Sequence, residues 1–464
     1  MTIDLRSLRS ADAIGSGQTD DTATIQAILD GFAQPFSTGR LDLPVGTYRI
    51  TKPLVYRGDY GYGVRICGAH SAAQLSGTVL KWDGPVGGVV LELRGCTSTT
   101  VEHLAIDCAG KARAGIAITY DDANKKGTSG VYLDHLYISG GVGEFGAAVV
   151  AGYRPDGTRD DRQCDRIILS NSTFQGSAPS GTTQYGFLTG WANCKNFAVR
   201  DCGFTHFGTG IKFGGSGYMI VDGFAGGNNG IDFETATGNL EIRAGNSENS
   251  TGLLAGSTGA NSGSVTITNF SWSGWTGADP ILSYQGFLKL EGNYFRNTTP
   301  NGKQNAVPKI VLNATPGGPF SCLSNGNFYR LATGSPPITD TNGRPLAAGR
   351  LQSFGDYGGI EGDLEMLRLP TPAPGTVRAT DLIVSGSLDF GDGRRWGPDG
   401  LFLDAESYWT PDGLYPGPDR GIKWKGYGTL IPGPDESFRF VGWEMDANGN
   451  RRSGYVVPPL KGNK

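Results

Sequence analysis

The residues best placed to do chemistry lie in Gly230-Ile-Asp-Phe-Glu234. If Ile231 and Phe233 face a core, Asp232 and Glu234 share the opposite face of the strand, with Cα atoms about 6.5 Å apart. Acetal hydrolysis needs a proton donor and a second carboxylate set roughly 5 to 9.5 Å apart. An earlier unit of the same form, Gly210-Ile-Lys-Phe213, stacks Lys212 beside Asp232. A neighbouring cation favours the ionised carboxylate. The expectation is therefore Asp232 as base or nucleophile and Glu234 as proton donor. The same patch also reads as a solvated charge ladder in which Lys212 simply pairs with Asp232.

A second row of polar residues follows from another repeat. With Val199, Val221, Ile242, Ile267 and Leu290 inward, the outward neighbours are Arg200, Asp222, Arg243, Thr268 and Glu291. Their alternating signs favour mutual salt bridges. His103 and His135 precede Leu104 and Leu136 in equivalent units, which points to a turn or stacking role. No metal cluster is evident. The stretch Asp156 to Asp165 is rich in Asp, but Arg154, Arg159 and Arg162 are interleaved with it, which argues against Ca²⁺. No cofactor is expected. The seven cysteines are odd in number and include no CxxC, so they read as small apolar fillers.

These residues need a scaffold that repeats. From Val199 the copies fall at Val221, Ile242, Ile267 and Leu290, steps of 22, 21, 25 and 23 residues. Earlier copies are Leu104-Ala-Ile106, Leu136-Tyr-Ile138 and Ile167-Ile-Leu169; a later one is Leu323 with Phe328. A second unit places a small residue before two inward residues, as in Gly115-Ile-Ala-Ile118, Gly186-Phe-Leu and Gly252-Leu-Leu. One such coil cannot bury its inward row alone, so coils must stack around a continuous apolar interior. Polar insertions become outer loops, the largest being Tyr153 to Asp165.

The N-terminal stretch supplies a lid for that stack. In Thr19-Asp-Asp-Thr22, Thr19, Asp20 or Asp21 can cap a helix. Ile25, Ile28, Leu29 and Phe32 then form one apolar face. The run from Gly15 to Gly31, followed by Leu41-Asp-Leu-Pro-Val-Gly-Thr-Tyr-Arg-Ile-Thr51, resembles the cap and first coil of the pectate-lyase-like β-helix superfamily. That superfamily includes polygalacturonases, alginate epimerases and phage tailspike depolymerases. Ser16 stands where the usual motif has Asp. The resemblance covers about 40 residues and implies that Asp20 and Asp21 are structural.

The expected fold is all-β: a right-handed parallel β-helix with a short capping helix and a small C-terminal β module. The expected boundaries are a cap at 1–39, the β-helix at 40–335, a connector at 336–375 and the module at 376–464. The module holds four of the eight Trp, at 396, 409, 424 and 443, and repeats Gly-Pro-Asp at 397–399, 417–419 and 433–435. This pattern reads as hairpins joined by tight turns, with the Trp residues as core, interface or sugar platforms.

The resemblance is greatest to the tailspike branch, where a distal β module follows the helix. It implies a homotrimeric virion tail protein, with other tail proteins as partners, that binds and depolymerises a bacterial surface polysaccharide. Lys212, Arg200, Asp222, Arg243 and Glu291 are then the expected substrate-binding residues. A free polysaccharide lyase, hydrolase or epimerase is one alternative; elimination or epimerisation would need a base and charge neutralisation instead. A non-enzymatic adhesin is another. A net charge of −4 with 18% charged residues gives no basic face for nucleic acid. No run of eighteen apolar residues exists to insert in a membrane, and no secretory leader is seen at Met1.

Overall fold

A computed structural model of the chain describes residues 2–4 and 15–360, except for 34–37, 59–62, 70–73, 140–145, 155–156, 161, 178–183, 191–192, 216, 236–237, 257–262, 275–281, 285, 298–309, 313–320, 331–337 and 341–350. It also describes the strands at 363–366 and within 388–457. Most of the expected connector and all but Gly397 of the Gly-Pro-Asp turns lie outside the described residues. So do the side chains of the module's four Trp.

Residues 1–374 form one compact unit, a right-handed parallel β-helix. Each coil contributes one strand to an eleven-stranded parallel sheet and, over most of the length, two to a larger sheet that is parallel except at its last strand. The two strands in the larger sheet are joined by one left-handed residue. His103, His135, Asn171, Asp201, Gly223, Ala244, Asn269, Gly292, Gly326 and Gly355 occupy this place, with φ between 40° and 70°. One residue of positive φ turns the chain sharply without a loop.

The next residue points inward. In the last coils it is Asn293, Asn327 and Asp356, which form a buried ladder. The Asn293 amide N–H donates to Asn327 Oδ1 at 3.0 Å, and the Asn327 amide N–H to Asp356 Oδ1 at 2.8 Å. Asn327 Nδ2 also donates to the carbonyl of Leu290. These side chains satisfy backbone groups that the turn takes out of the sheets.

Most of the interior is apolar. Phe174, Phe204 and Phe224 stack on successive coils, with ring centroids 4.9 and 5.6 Å apart. The capping helix, Thr22–Phe32, buries Ile25, Ile28, Leu29 and Phe32 against the first coil. Asp20 accepts the Thr22 amide N–H at 3.1 Å and the Thr51 hydroxyl at 2.7 Å. Asp21 accepts the amides of Gly15 and Arg49, tying helix to sheet. Gln26 closes the exposed edge of the eleven-stranded sheet: its side-chain amide exchanges two hydrogen bonds of 2.8 Å with the backbone of Val55. An uncovered edge strand is an aggregation hazard, and here a helix covers it.

The helix also runs past the expected end at 335. Ile338–Asp340, Leu351–Phe354 and Tyr357–Ile360 continue the parallel stack into the segment assigned to a connector. At the other end, Ser16–Asp20 pairs in parallel with Gly46–Ile50, so coil pairing begins inside the expected cap. Residues 375–464 form a second unit. It holds two antiparallel sheets, one of five short strands from Leu388 to Tyr415 and one of four from Ile422 to Val457.

Candidate functional site

The expected carboxylate pair does not share a face. Gly210, Ile211, Lys212 and Phe213 align with Asp232, Phe233, Glu234 and Thr235. Lys212 is therefore beside Glu234, not Asp232, and Nζ pairs with Oε1 at 2.7 Å. Burial pulls the Lys212 ammonium's pKa down, but the Glu234 bond and charge outweigh it, and the net shift is upward. Asp232 faces the interior and is fully buried, whereas Ile231 is partly exposed.

The reason is a corner at which two successive residues turn inward. The column below Asp232 holds Val90, Gly115, Ala148, Gly186 and Gly210. A Cβ added at Gly115 or Gly186 would meet core atoms of Ile138 or Phe204 at 2.5 or 2.3 Å. Asp232 occupies the same inward column. Its Oδ1 accepts from Asn229 Nδ2 at 3.0 Å and Ser250 Oγ at 2.8 Å. Burial raises its pKa to about 6, against the pull of Ser247, Asn229, Ser250 and Trp272. A group sealed inside the stack cannot meet a polymer outside it. Asp232 is therefore a core residue, and Glu234 is left with Lys212 rather than with a second carboxylate.

The other row assembles in the expected order. Arg200, Asp222, Arg243, Thr268 and Glu291 align on successive coils of the larger sheet, all facing out. The expected cross-coil salt bridges do not form. Arg243 pairs instead with Glu241 at 2.5 Å and Glu291 with Lys289 at 2.6 Å, each within its own strand. Arg200 and Asp222 make no ion pair among the described residues. His103 and His135 stack with ring centroids 4.7 Å apart at the left-handed turn.

A cleft of about 400 Å³ lies on the outer face of the eleven-stranded sheet, at the ends of strands Val89–Arg94 and Ala114–Thr119. Its floor is built by a short-range trick. Glu92 and Arg94, two residues apart, close a bidentate pair at 2.9 and 2.5 Å. The Thr119 hydroxyl adds a 2.7 Å bond to Glu92. Glu92 is thereby almost fully buried yet fully partnered.

The wall is the large insertion. It leaves the sheet at Gly152, and the Asp160 amide N–H returns to the Gly152 carbonyl at 2.9 Å. Tyr153 packs on Val89, Ala114, Ala117, Val150 and Leu188, an apolar patch on the outside of the sheet. Arg162 grips Asp160 at 2.7 and 2.6 Å, also pairs with Asp122, and lies 4.1 Å from the ring centre of Tyr120. Arg162 holds the carboxyls of Asp160 and Asp122 below the usual range. Arg154, about half exposed, reaches Asp160 at 3.7 Å. Asp121 accepts the Ala123 amide N–H and Asn124 Nδ2, each at 3.0 Å.

A second groove, of about 560 Å³, lies one strand nearer the cap, between the helix and strand Leu54–Arg57. Asp20, Gln26, Asp30, Lys52 and Arg57 line it. Strand Leu54–Arg57 pairs with Val89–Arg94, so groove and cleft sit on adjacent strands. Among the described residues, no cluster of three or more His, Cys, Asp or Glu is placed to hold a metal. Among the described residues, the carboxyls whose pKa is raised by burial are those of Asp21 and Asp232. The arrangement can bind hydroxyls and planar polar groups; a raised outward carboxylic acid for protonating a leaving group is not seen among the described residues.

In the sequence the Tyr153–Asp165 insertion stands out as the largest polar insertion, whereas Glu92, Arg94, Asp121 and Tyr120 do not. The available signal was Glu-x-Arg in an otherwise apolar strand, Val89-Val-Leu-Glu-Leu-Arg94. A charge pair there must face out and must be covered by something.

No protein-family model and no curated protein matches the chain. Several solved structures do. A tailspike protein double mutant of E. coli bacteriophage HK620 is 10% identical, with a TM-score of 0.50, over 77% of this chain and 67% of that one. The AlgE4 A-module, a mannuronan C-5 epimerase of Azotobacter vinelandii, is 15% identical over 80% of this chain and 100% of that one, at 0.45. PfbA, a surface adhesin of Streptococcus pneumoniae, is 10% identical over 78% and 90%, at 0.43. At these identities the likeness extends to the β-helix fold alone.

Proposed function

We propose that this protein binds a bacterial surface polysaccharide along the outer face of its eleven-stranded sheet. The cleft beside Tyr120 and Arg154 is the anchoring subsite, and the groove by the capping helix continues the track. The observation that carries this reading is the preformed floor, Glu92 held by Arg94 and Thr119 under a loop fixed by Arg162. Polar groups locked before binding lose little entropy when a hydroxyl-rich chain docks. Adjacent strands about 4.8 Å apart suit an extended polymer lying across them.

A panel of purified capsular and O-antigen polysaccharides, titrated calorimetrically with product mass spectrometry, tests the reading. It expects saturable binding to one of them that weakens at least tenfold with Arg154→Ala. Binding unaffected by Arg154→Ala would reject the cleft.

A second reading adds cleavage and a virion setting. It is favoured by exposed Arg200 and Asp222, which lack ion pairs among the described residues. Asp222 and Glu291 lie three coils apart, about 14 Å at the usual strand spacing. That exceeds the separation of a hydrolytic carboxylate pair. Asp222 and Glu291 therefore cannot serve as that pair within one chain, and in this reading a carboxylate from a neighbouring subunit, as in a homotrimeric tail protein, completes it. Light scattering that finds only a monomer would remove this reading and leave the first intact.

A further inference from the structure

We propose that Cys164 and Cys194 are a modification site, an oxidisable pair that closes to a disulfide between successive coils at the foot of the loop that walls the cleft. All seven cysteines are buried and reduced in the structure. Only this pair is in register. Ile168 faces Ala198 on the next coil, and the same offset carries Cys164 to Cys194. The ladder holds up to that point, since the Arg166 amide N–H donates to the Lys195 carbonyl at 3.0 Å. In-register residues of adjacent parallel strands have Cα atoms about 4.8 Å apart, inside the 4.4–6.8 Å range that a disulfide spans.

The two thiols touch: Cys194 is the first partner acting on Cys164, ahead of burial. On the other side Cys164 faces Thr128, whose hydroxyl accepts the Cys96 amide N–H at 3.2 Å. Thr128 thus separates Cys96 from the pair. The sulfur of Cys194 fills the space beside Gly152, where an added Cβ would come within 2.3 Å of it. The wall loop leaves at Gly152 and ends at Cys164. A Cys164–Cys194 bond therefore pins the Cys164 foot of that loop to the next coil, beside the Gly152 foot.

The chemistry is thiol–disulfide exchange with a small disulfide such as oxidised glutathione. One thiolate attacks a glutathione sulfur, forms a mixed disulfide and releases one reduced glutathione. The second thiolate attacks the protein sulfur of that mixed disulfide and releases the other. Two protein thiols are oxidised and one glutathione disulfide is reduced. Both thiols are buried in the folded coil, out of reach of a soluble disulfide, so closure takes place when this coil is open, during folding above all.

Trypsin makes the test direct, because it cuts after Arg166 and Lys195. The full chain is incubated with oxidised glutathione both native and during refolding, then denatured, treated with N-ethylmaleimide and digested. The expected product after refolding is Gln163–Arg166 linked to Ile167–Lys195, about 2 Da lighter than the two peptides together. The other five cysteines carry the label. Cys67→Ser should keep the cross-link and Cys194→Ser should abolish it. Seven labelled cysteines in both arms, or a disulfide joining a different pair, would overturn the assignment.

Discussion

The two outer faces of the β-helix differ although one chain builds both from the same coils. On the larger sheet, paired strands meet at a single left-handed residue, from His103 to Gly355. That turn leaves no loop between the two strands, and Arg200, Asp222 and Arg243 are exposed. On the eleven-stranded sheet the connections are longer. The insertion after Gly152 folds back over Val150 and Leu188 and closes a charged cleft with Glu92 as its floor. The regular stack sets where side chains point. Connection length decides whether they point into solvent or into a site.

If the tight turns are purely structural, breaking one should do the most damage and leave the cleft's chemistry untouched. Asn327→Ala removes bonds to the carbonyl of Leu290, to Ser324 and to Asp356, and orphans the Asn293 amide. Each buried group left unpaired costs about 1–3 kcal/mol, so denaturant unfolding should show a loss of about 3 kcal/mol.

Asp232 offers the next largest effect. Its folded pKa, about 6, lies above the ordinary aspartate value, so the folded state binds the proton more tightly. The stability this contributes is full below the unfolded value near 3.9 and is lost as pH rises through about 6. Unfolding measured from pH 4 to 7 should therefore show a component that declines with pH. Asp232→Asn should flatten it and leave the protein about 2 kcal/mol more stable than the parent at pH 7. A catalytic Asp232 would instead lose glycan turnover in this variant with no change in that slope.

Arg154→Ala should weaken glycan binding by at least tenfold, about 1.4 kcal/mol, with the unfolding midpoint unchanged. The smallest effect belongs to the open face. Asp222→Ala should change stability by less than about 0.5 kcal/mol, since the group is exposed and unpaired among the described residues. A larger loss of binding at Asp222 than at Arg154 would reverse the assignment of the two faces.

The fold was readable because its two devices leave local marks. Ile25, Ile28, Leu29 and Phe32 mark the cap, and Val199, Val221, Ile242 and Ile267 mark the coil step. The end of the helix carries a local mark as well. Glu291-Gly-Asn-Tyr, Asn325-Gly-Asn-Phe and Phe354-Gly-Asp-Tyr repeat one turn and its inward ladder residue. The site failed on register. Aligning Gly230 with Gly210 uses a step of 20, whereas Val199 to Val221 fixes that coil at 22 and places Asp232 over Gly210. A strand that turns two successive residues inward defeats simple alternation, and a two-residue error exchanges a core acid for a surface one. The cleft was harder to foresee, because it joins Glu92 to Asp160 through a loop whose course depends on packing against Tyr153 and the outer patch.

A glycan bound as proposed lies on the face that the long loop covers. Amide hydrogen exchange of the full chain, with and without a saturating polysaccharide identified by the binding panel, tests it most directly. Exchange should slow at residues 119–123 and 152–160 and stay unchanged along 198–201, 219–223 and 240–244. Protection along those last three segments, with the cleft unaffected, would contradict it.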